Sequence, residues 1–226
     1  GLIKPLILRI LKVKEKDIQP YLEEFEERLQ DECDYELELK NGTQIALETK
    51  DIPNLIIPKY YPEWSASKIL TMDWIDGIPL QYFIDNETNQ DKKNQIGQAL
   101  LDFLHTSIHE HKHFHADLHP GNFLVTDDCK LVVLDFGCVK CIPDDFYNFY
   151  FSLVRDDVVN DEHKLRICLK GLDMLRDPDD KETSDLFYDE SLRAIYNISR
   201  PMKSDIFYFK DQQYFEELQA HGITRI

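Results

Sequence analysis

Two short motifs, separated by a stretch that predicts a β-hairpin, constrain this chain more than any other part of its sequence. They read HADLHPGN at residues 115–122 and LDFG at residues 134–137. Asn122 follows Asp117 by five positions, and Asp135 follows Asn122 by thirteen. The residues between them predict strands at Phe123–Val125 and Leu131–Leu134, joined by a polar turn. A loop and the end of a hairpin must therefore lie side by side.

The polar side chains of these motifs suit a divalent cation and a reacting phosphate. Mg²⁺ prefers oxygen ligands, so the Asp135 carboxylate and the Asn122 amide oxygen are candidate metal ligands. Kinase catalytic loops place an Asp at the substrate hydroxyl and an Asn five residues later at a metal, with a DFG Asp after a hairpin. Asp117 would then orient the attacking hydroxyl or water. Order and spacing together predict a phosphotransfer site for ATP and Mg²⁺.

Charge and composition narrow the possible partners. The chain has 226 residues, of which 42% are hydrophobic, and its formal net charge is −17. It is long enough for one large domain or two lobes with a proper core. The negative charge argues against nucleic acid, or an anionic membrane bound by bulk charge, as a partner. An acidic protein that binds a nucleotide needs a metal ion and local positive groups to offset the repulsion.

The cysteines and the chain's apolar runs bear on localisation. Five cysteines, an odd number, in a chain too large to need disulfide staples favour a reducing compartment. We find no run of 18 apolar residues and no signal-peptide pattern. The expected localisation is cytoplasmic. A peripheral membrane contact through the short apolar run at residues 2–11 is the alternative.

Periodicity gives a coarse secondary-structure prediction. Apolar residues at three- and four-residue steps predict a helix from Asp17 to about Glu48 and another over Asn89–His111. Strands are predicted at Leu55–Tyr61 and Lys68–Ile75, as an antiparallel pair. After Gly137 the pattern is helical to the end. The order of elements predicts an α+β protein in two lobes.

A third segment connects the two motifs to a known family. Residues 32–41, ECDYELELKN, resemble the signature ExDYxxEAxN of the ABC1 family, also called UbiB or ADCK. Leu39 departs from the usual Ala, and residues 69–80, ILTMDWIDGIPL, also resemble the hinge of that family. The matching positions are Glu32, Asp34, Tyr35, Glu38 and Asn41. Aminoglycoside and choline kinases have loops similar to HADLHPGN, and residues 32–41 are what separates this chain from them.

The resemblance implies an atypical protein-kinase-like fold of the ABC1 type, α+β, consisting mostly of the helical C-lobe with an incomplete N-lobe. Residues 1–75 would be the N-lobe remnant, with a long helix, two strands and the hinge. Residues 76–226 would be the C-lobe, with the catalytic loop, the DFG-type hairpin and the C-terminal helices.

Roles for individual residues follow from the same resemblance. Glu32 would pair with the nucleotide-binding Lys, and Asp34 and Glu38 would shape a cover over the pocket. The residues implied to meet the adenine are the gatekeeper Met72 and the hinge residues Asp73, Trp74 and Ile75. The implied cofactors are ATP and Mg²⁺. The family is linked to ubiquinone and other isoprenoid lipid pathways, so a lipid or quinone precursor, or membrane-associated enzymes, would be partners.

The front of the chain departs from the family pattern. No KxGQ segment, VAVK-type strand or GxGxxG loop precedes residue 32, and Lys12 and Lys14 lie too close to the predicted helix to serve as the ATP lysine. Two other functions therefore stay open, a small-molecule kinase of the aminoglycoside or choline type and a catalytically inactive pseudokinase scaffold. Zinc at His105 and His109 is disfavoured because they flank a polar helix end. Residues 138–141 form a single CxxC, also weak evidence for a metal.

Overall fold

The computed structural model describes residues 34–174 and 181–220 of the chain. The chain divides into two compact units, with the boundary between Cys141 and Ile142. The predicted division at residues 75 and 76 separates kinase lobes rather than compact units, and it stays a prediction. Glu32 and the first part of the predicted long helix lie outside the described residues.

The first unit contains short strands and three α-helices within its described part. Single turns of 3₁₀ helix occupy Pro62–Trp64 and Pro120–Asn122, and a π-helical turn spans Thr106–Glu110. The regular elements are α1 (Tyr35–Glu48), β1 (Leu55–Ile56), β2 (Ile78–Pro79), α2 (Leu80–Asn86), α3 (Gln90–His105), β3 (His113–His115), β4 (Phe123–Val125), β5 (Leu131–Val133) and β6 (Val139–Cys141).

The second unit is helical in its described part. Its core includes Leu165 and Leu169, which are fully buried. The helices are α4 (Asp144–Ser152), α5 (Asp156–Val159), α6 (Glu162–Gly171), α7 (Lys181–Ser199) and α8 (Gln212–Ala220), with a 3₁₀ turn at Pro201–Lys203.

Polar side chains fix where several helices begin. The Asp34 carboxylate accepts from the backbone N–H groups of Glu36 and Leu37 at the start of α1. Asn89 caps α3 and Asp161 caps α6 in the same way. Each cap satisfies donors that the first helical turn leaves without partners.

Strand β5 lies inside the main sheet of the first unit. The strand order is β1-β5-β4-β2, in which β1 runs parallel to β5 and the other pairs are antiparallel. Leu131, Val132 and Val133 are all fully buried, as expected of a strand covered on both faces. The hairpin of β4 and β5 was predicted from the sequence, and the structure contains it.

The predicted antiparallel pair at Leu55–Tyr61 and Lys68–Ile75 is present only in part. Leu55–Ile56 pairs in parallel with β5 instead. The two stretches meet at one antiparallel bridge, between Tyr60 and Met72. Prolines at positions 58 and 62 lack the N–H groups that a longer ladder would need. The strand prediction was wrong in its length and its main partner.

A second, two-stranded sheet was not predicted. Strand β6 pairs antiparallel with β3, with His115 opposite Val139, where the sequence had indicated helix directly after Gly137. Just beyond the pair, the backbone N–H of Ala116 donates to the carbonyl of Cys138 at 2.8 Å. This pairing holds the two sequence motifs against each other.

Candidate phosphotransfer site

Asp117 and Asn122 are joined directly by a hydrogen bond. Asn122 ends the 3₁₀ turn that follows the loop, and its Nδ2 donates to the Asp117 carboxylate Oδ2 at 2.8 Å and to the Asp117 carbonyl at 3.1 Å. With the amide nitrogen committed to Asp117, the amide oxygen of Asn122 is the atom left for another ligand. Asp117 itself is exposed, as the role predicted for it requires.

Asp135 is tied to the same loop through the backbone. The N–H of Leu134 donates to the carbonyl of Asn122 at 3.0 Å, so the LDFG segment begins where the loop ends. One carboxylate oxygen of Asp135, Oδ1, accepts from the N–H of Gly137 at 2.8 Å. This bond orients the carboxylate through Oδ1 and does not involve its other oxygen, Oδ2.

The imidazole of His115 bridges the two motifs. Its Nε2 lies 2.6 Å from the carbonyl of Asp135, and its Nδ1 accepts from the N–H of Asp117 at 3.3 Å. These partners require a proton on Nε2 and none on Nδ1, which is the neutral tautomer. The ring is buried, in contact with Phe103, Phe123 and Phe136. His115 therefore fixes the distance between the loop and the LDFG segment.

Burial sets the protonation of His115. It lowers the pKa of the imidazole below its usual value, because a charged ring would lose its hydration. The hydrogen bond to the Asp135 carbonyl and the charges of Asp135 and Asp117 act in the opposite direction but less strongly. The neutral form agrees with the hydrogen-bond geometry.

Helix α1 contacts the LDFG segment from another side. The Asn41 side chain donates from Nδ2 to the carbonyl of Phe136 at 3.0 Å. Burial, and then the nearby charge of Asp135, raise the pKa of Glu38, while a hydrogen bond from the Phe136 backbone lowers it. The charge of Asp135 therefore disfavours the ionised form of Glu38.

This set of donors fits a hard divalent cation. Asp135 supplies a carboxylate oxygen and Asn122 an amide oxygen, the ligand types that Mg²⁺ takes in nucleotide sites. The neighbouring carboxylates of Asp117 and Glu38 add negative charge, which a cation would offset.

The predicted hinge residues lie on a separate stretch of the first unit. Met72 forms the backbone bridge with Tyr60, and the N–H of Asp73 donates to the carbonyl of Lys59 at 2.9 Å. The side chain of Trp74 is 88% exposed and donates from Nε1 to Asp76. Ile75 is half-buried. Their backbone contact with adenine remains a prediction.

Asp34 has a clear structural role, as the N-cap of α1. The acid is exposed, and its oxygen is used by backbone donors of the first turn. Its predicted part in a cover over the pocket is not tested by this arrangement. The pairing of Glu32 with a lysine lies outside the described residues.

Two residues at the site were missed as site residues by sequence reasoning. His115 was grouped with the kinase-like loop but given no role. Its position, two residues before the loop Asp, was the signal in the sequence that it could contact the site. Tyr60 donates from its hydroxyl to the carbonyl of Leu134 at 3.2 Å. Its only sequence signal was Gly42, a glycine inside a predicted helix, which often marks a close approach.

Other candidate metal and membrane features were also located. The rings of His105 and His109 are 4.6 Å apart between centroids. Within residues 34–174 and 181–220, no group of three or more His, Cys, Asp or Glu side chains is arranged to hold a metal. Over the same ranges, no helix combines the length and apolar character needed to cross a membrane.

A loop with paired Asp and Asn, a hairpin and an LDFG segment held by a helix and a histidine define a protein-kinase-like fold. The solved structure of Rv3197 from Mycobacterium tuberculosis, in complex with erythromycin, has a similar fold, with a TM-score of 0.64 and 25% sequence identity. The similarity covers 92% of this chain and 50% of that one.

The sequence also matches the family of ABC1 atypical kinase-like domains over residues 4–168, and the chain belongs to that family. Both the predicted family and the predicted fold class are confirmed. An uncharacterised aarF domain-containing protein kinase of Arabidopsis thaliana, described as chloroplastic, is 30% identical over 188 residues, 81% of this chain. The mitochondrial atypical kinase COQ8B of Danio rerio is 26% identical over 201 residues, 88% of this chain.

The matched regions are only parts of these relatives. The chain spans 26% of the Arabidopsis protein and 31% of COQ8B. A probable protein kinase UbiB of Pasteurella multocida is 27% identical over 140 residues, which is 59% of this chain and 27% of that protein.

Proposed function

We propose that this chain provides the catalytic loop and metal-binding residues of an ABC1-type kinase or ATPase that binds ATP with Mg²⁺. The observation that carries the proposal is that the loop with Asp117 and Asn122 is joined to the LDFG segment with Asp135, through the His115 ring and the backbone. His115 joins the backbones of the two motifs and Asn122 holds the Asp117 carboxylate, which supports a phosphotransfer site with the order and spacing of a kinase catalytic loop.

Each residue has a task in this proposal. Asn122 and Asp135 would hold Mg²⁺, which, when bound, neutralises charge on the phosphate oxygens. Asp117 orients the attacking hydroxyl or water, and the Asn122 amide holds its carboxylate in place. Asp117 would accept a proton late in the reaction, because a carboxylate is a weak base toward a hydroxyl group in the ground state.

The wider pathway is a further part of the proposal. The family resemblance favours ATP hydrolysis or phosphorylation of a small or lipid-like acceptor, in support of quinone or other isoprenoid lipid metabolism. The proposed partners are the nucleotide, a lipid or quinone precursor and membrane-associated enzymes, with no role for nucleic acid. The proposed location is the cytoplasm, with peripheral membrane contact as the alternative.

The two alternative functions, a small-molecule kinase and a pseudokinase scaffold, differ in what they require of the chain. Membership of the ABC1 family makes a small-molecule kinase of the aminoglycoside or choline type less favoured. A pseudokinase scaffold would keep the fold without using the cation site.

Nucleotide-dependent thermal stability tests the proposal. Mg²⁺ with ATP is expected to raise the melting temperature of the purified protein, and Asp135→Asn is expected to abolish that rise. Asp127→Asn is the matched control, because Asp127 is an exposed acid in the turn of the same hairpin. The control should respond like the wild type.

Three results discriminate the candidate functions. No rise with Mg²⁺ and ATP in the wild type would favour the scaffold. A rise that survives Asp135→Asn would contradict the assigned metal site. ATP turnover that starts only when an amino alcohol or aminoglycoside is added would favour the small-molecule kinase.

A further inference from the structure

Tyr60 occupies a gap that Gly42 leaves in helix α1. The Tyr60 side chain is only 6% exposed. A Cβ placed on Gly42 would lie 2.4 Å from Cε2 of the Tyr60 ring and 2.9 Å from its hydroxyl oxygen. No side chain larger than hydrogen fits at position 42 while the ring stays there. Glycine is unfavourable inside a helix, so this gap has a packing reason.

The same tyrosine contacts two more segments of the site. Its backbone forms the antiparallel bridge with Met72, in the predicted gatekeeper and hinge stretch. Its hydroxyl donates to the carbonyl of Leu134, the residue before Asp135, at 3.2 Å. Helix α1 and the LDFG segment therefore contact the Tyr60 side chain, and the hinge stretch contacts its backbone.

Three successive carbonyls of the LDFG segment are each held by a side chain. The carbonyl of Leu134 accepts from Tyr60, that of Asp135 from His115, and that of Phe136 from Asn41. The donors come from three separate parts of the chain. The segment is too short to fix itself by ladder hydrogen bonds, so these contacts hold the backbone that carries Asp135, whose carboxylate is in turn bound by the Gly137 N–H.

We propose that Tyr60, seated against Gly42, is a positioning residue that sets the orientation of Asp135 and thereby the affinity of the site for its cation. The inference rests on the proposed function, since it concerns how well Asp135 holds Mg²⁺. Tyr60 does not touch the cation or the nucleotide in this proposal. It couples the position of helix α1 and the hinge stretch to the metal-binding carboxylate.

Removing only the Tyr60 hydroxyl separates positioning from packing. Tyr60→Phe keeps the ring in the gap and deletes the hydrogen bond to Leu134. We expect the dissociation constant for ATP with Mg²⁺, measured by calorimetry, to rise about fivefold, as the loss of one hydrogen bond predicts. Binding of ATP in the presence of EDTA should stay unchanged, because only the metal-dependent part is affected.

Tyr214→Phe is the matched control for this substitution. Tyr214 is 5% exposed, in helix α8 of the second unit, and it packs against Phe207 and Arg200. The contacts described for Tyr214 lie within the second unit. Like Tyr60→Phe, this substitution removes one tyrosine hydroxyl, and it should leave both dissociation constants as in the wild type.

Filling the gap gives an independent test that does not use the nucleotide. Gly42→Ala should lower the melting temperature in the wild type, because the new methyl group meets the ring. In a Tyr60→Leu background, which has no ring, the same substitution should raise the melting temperature, since alanine favours helix. A sign change between the two backgrounds demonstrates the contact.

The outcomes distinguish this inference from the proposed function. If Mg²⁺ with ATP stabilises the wild type, and Tyr60→Phe behaves like Tyr214→Phe in calorimetry, the positioning role is overturned and the proposed function stands. A fivefold rise in the dissociation constant that appears only in the titration with Mg²⁺ supports the inference. If the wild type binds no nucleotide with Mg²⁺, the proposed function fails and this inference fails with it.

Discussion

The side-chain amide of Asn122 donates to the carboxylate of Asp117 at 2.8 Å, so the positions of the two side chains in the loop depend on each other. The residue proposed to orient a substrate and the residue proposed to bind a cation are thereby held in a fixed relation. Neither position is free to change without affecting the other.

Asn122→Ala is the first consequence to test. It removes both the proposed metal-binding oxygen and the donor that holds Asp117, so we expect ATP turnover to fall by roughly a hundredfold. The free energy of unfolding should change by only about 1 kcal/mol, as for one partly exposed hydrogen bond. Turnover and urea denaturation, measured on the same preparation, check both expectations.

Asn86→Ala supplies the control for this experiment. Asn86 also donates from its Nδ2 to a backbone carbonyl, that of Tyr82, at 2.8 Å, but it lies at the exposed end of α2. It should leave turnover unchanged. Equal losses in the two variants would show that the effect of Asn122 is general destabilisation.

His115 predicts a dependence of stability on pH. Its folded-state pKa is lowered by burial, so as pH falls the unfolded chain binds this proton first. The stability linked to His115 is fully present above the unfolded value of about 6.5 and is lost as pH falls through the folded value. Free energies of unfolding at pH 7.5, 6.5 and 5.5 should therefore decrease in that order for this group.

Two measurements isolate His115 from other titrating groups. Burial also lowers the pKa of His109, whereas Glu38 has a raised pKa and contributes a slope of opposite sign. The His115→Gln variant should show a shallower loss of stability between pH 7.5 and 5.5. An NMR titration of the ring in the wild type needs no variant, and a midpoint at or above 6.5 would contradict the buried, neutral assignment.

The arrangement of the candidate site was predictable from sequence where its polar residues lie close together along the chain. Asp117, Asn122 and Asp135 lie on one loop and one hairpin, so their spacing along the chain nearly determines their spacing in space. The β4–β5 hairpin has apolar runs and a polar turn, and the prediction gave its strands to within one residue. The catalytic roles of these residues stay predictions until activity is measured.

The parts that sequence missed depend on contacts between distant segments. The parallel pairing of β1 with β5 joins residues 55–56 to residues 131–132. The β3–β6 sheet consists of two three-residue strands of mixed polar and apolar residues, too short for a periodic signal. The proposed role of Tyr60 could be inferred only from the structure, in which Gly42 faces its ring. Each depends on contacts between residues that are distant in sequence, which no local window of sequence contains.

Asp34 allows a capping role to be separated from a role at the pocket. Asp34→Ala should destabilise the protein by about 1 kcal/mol, because the first turn of α1 loses its cap. Asp34→Asn should keep most of this stability, since asparagine caps equally well. Thermal or urea unfolding of both variants measures the difference.

The nucleotide response of Asp34→Asn then decides its function. If Mg²⁺ with ATP raises the melting temperature as in the wild type, Asp34 is a cap and its charge is not needed at the pocket. A lost response in a stable Asp34→Asn protein would support the role implied by the family signature. Asp161→Asn, at the cap of α6, is the matched control.

Two glycines in helices of the two units predict opposite effects of the same substitution. A Cβ on Gly171, at the end of α6, would lie 2.6 Å from the ring of Phe149, so Gly171→Ala should cost about 1–3 kcal/mol in stability. A Cβ on Gly97, inside α3, would meet nothing within 4 Å, so Gly97→Ala should stabilise by about 0.5–1 kcal/mol. Urea denaturation measures both changes. Destabilisation by Gly97→Ala, or tolerance of Gly171→Ala without movement of Phe149, would contradict the packing described for that helix.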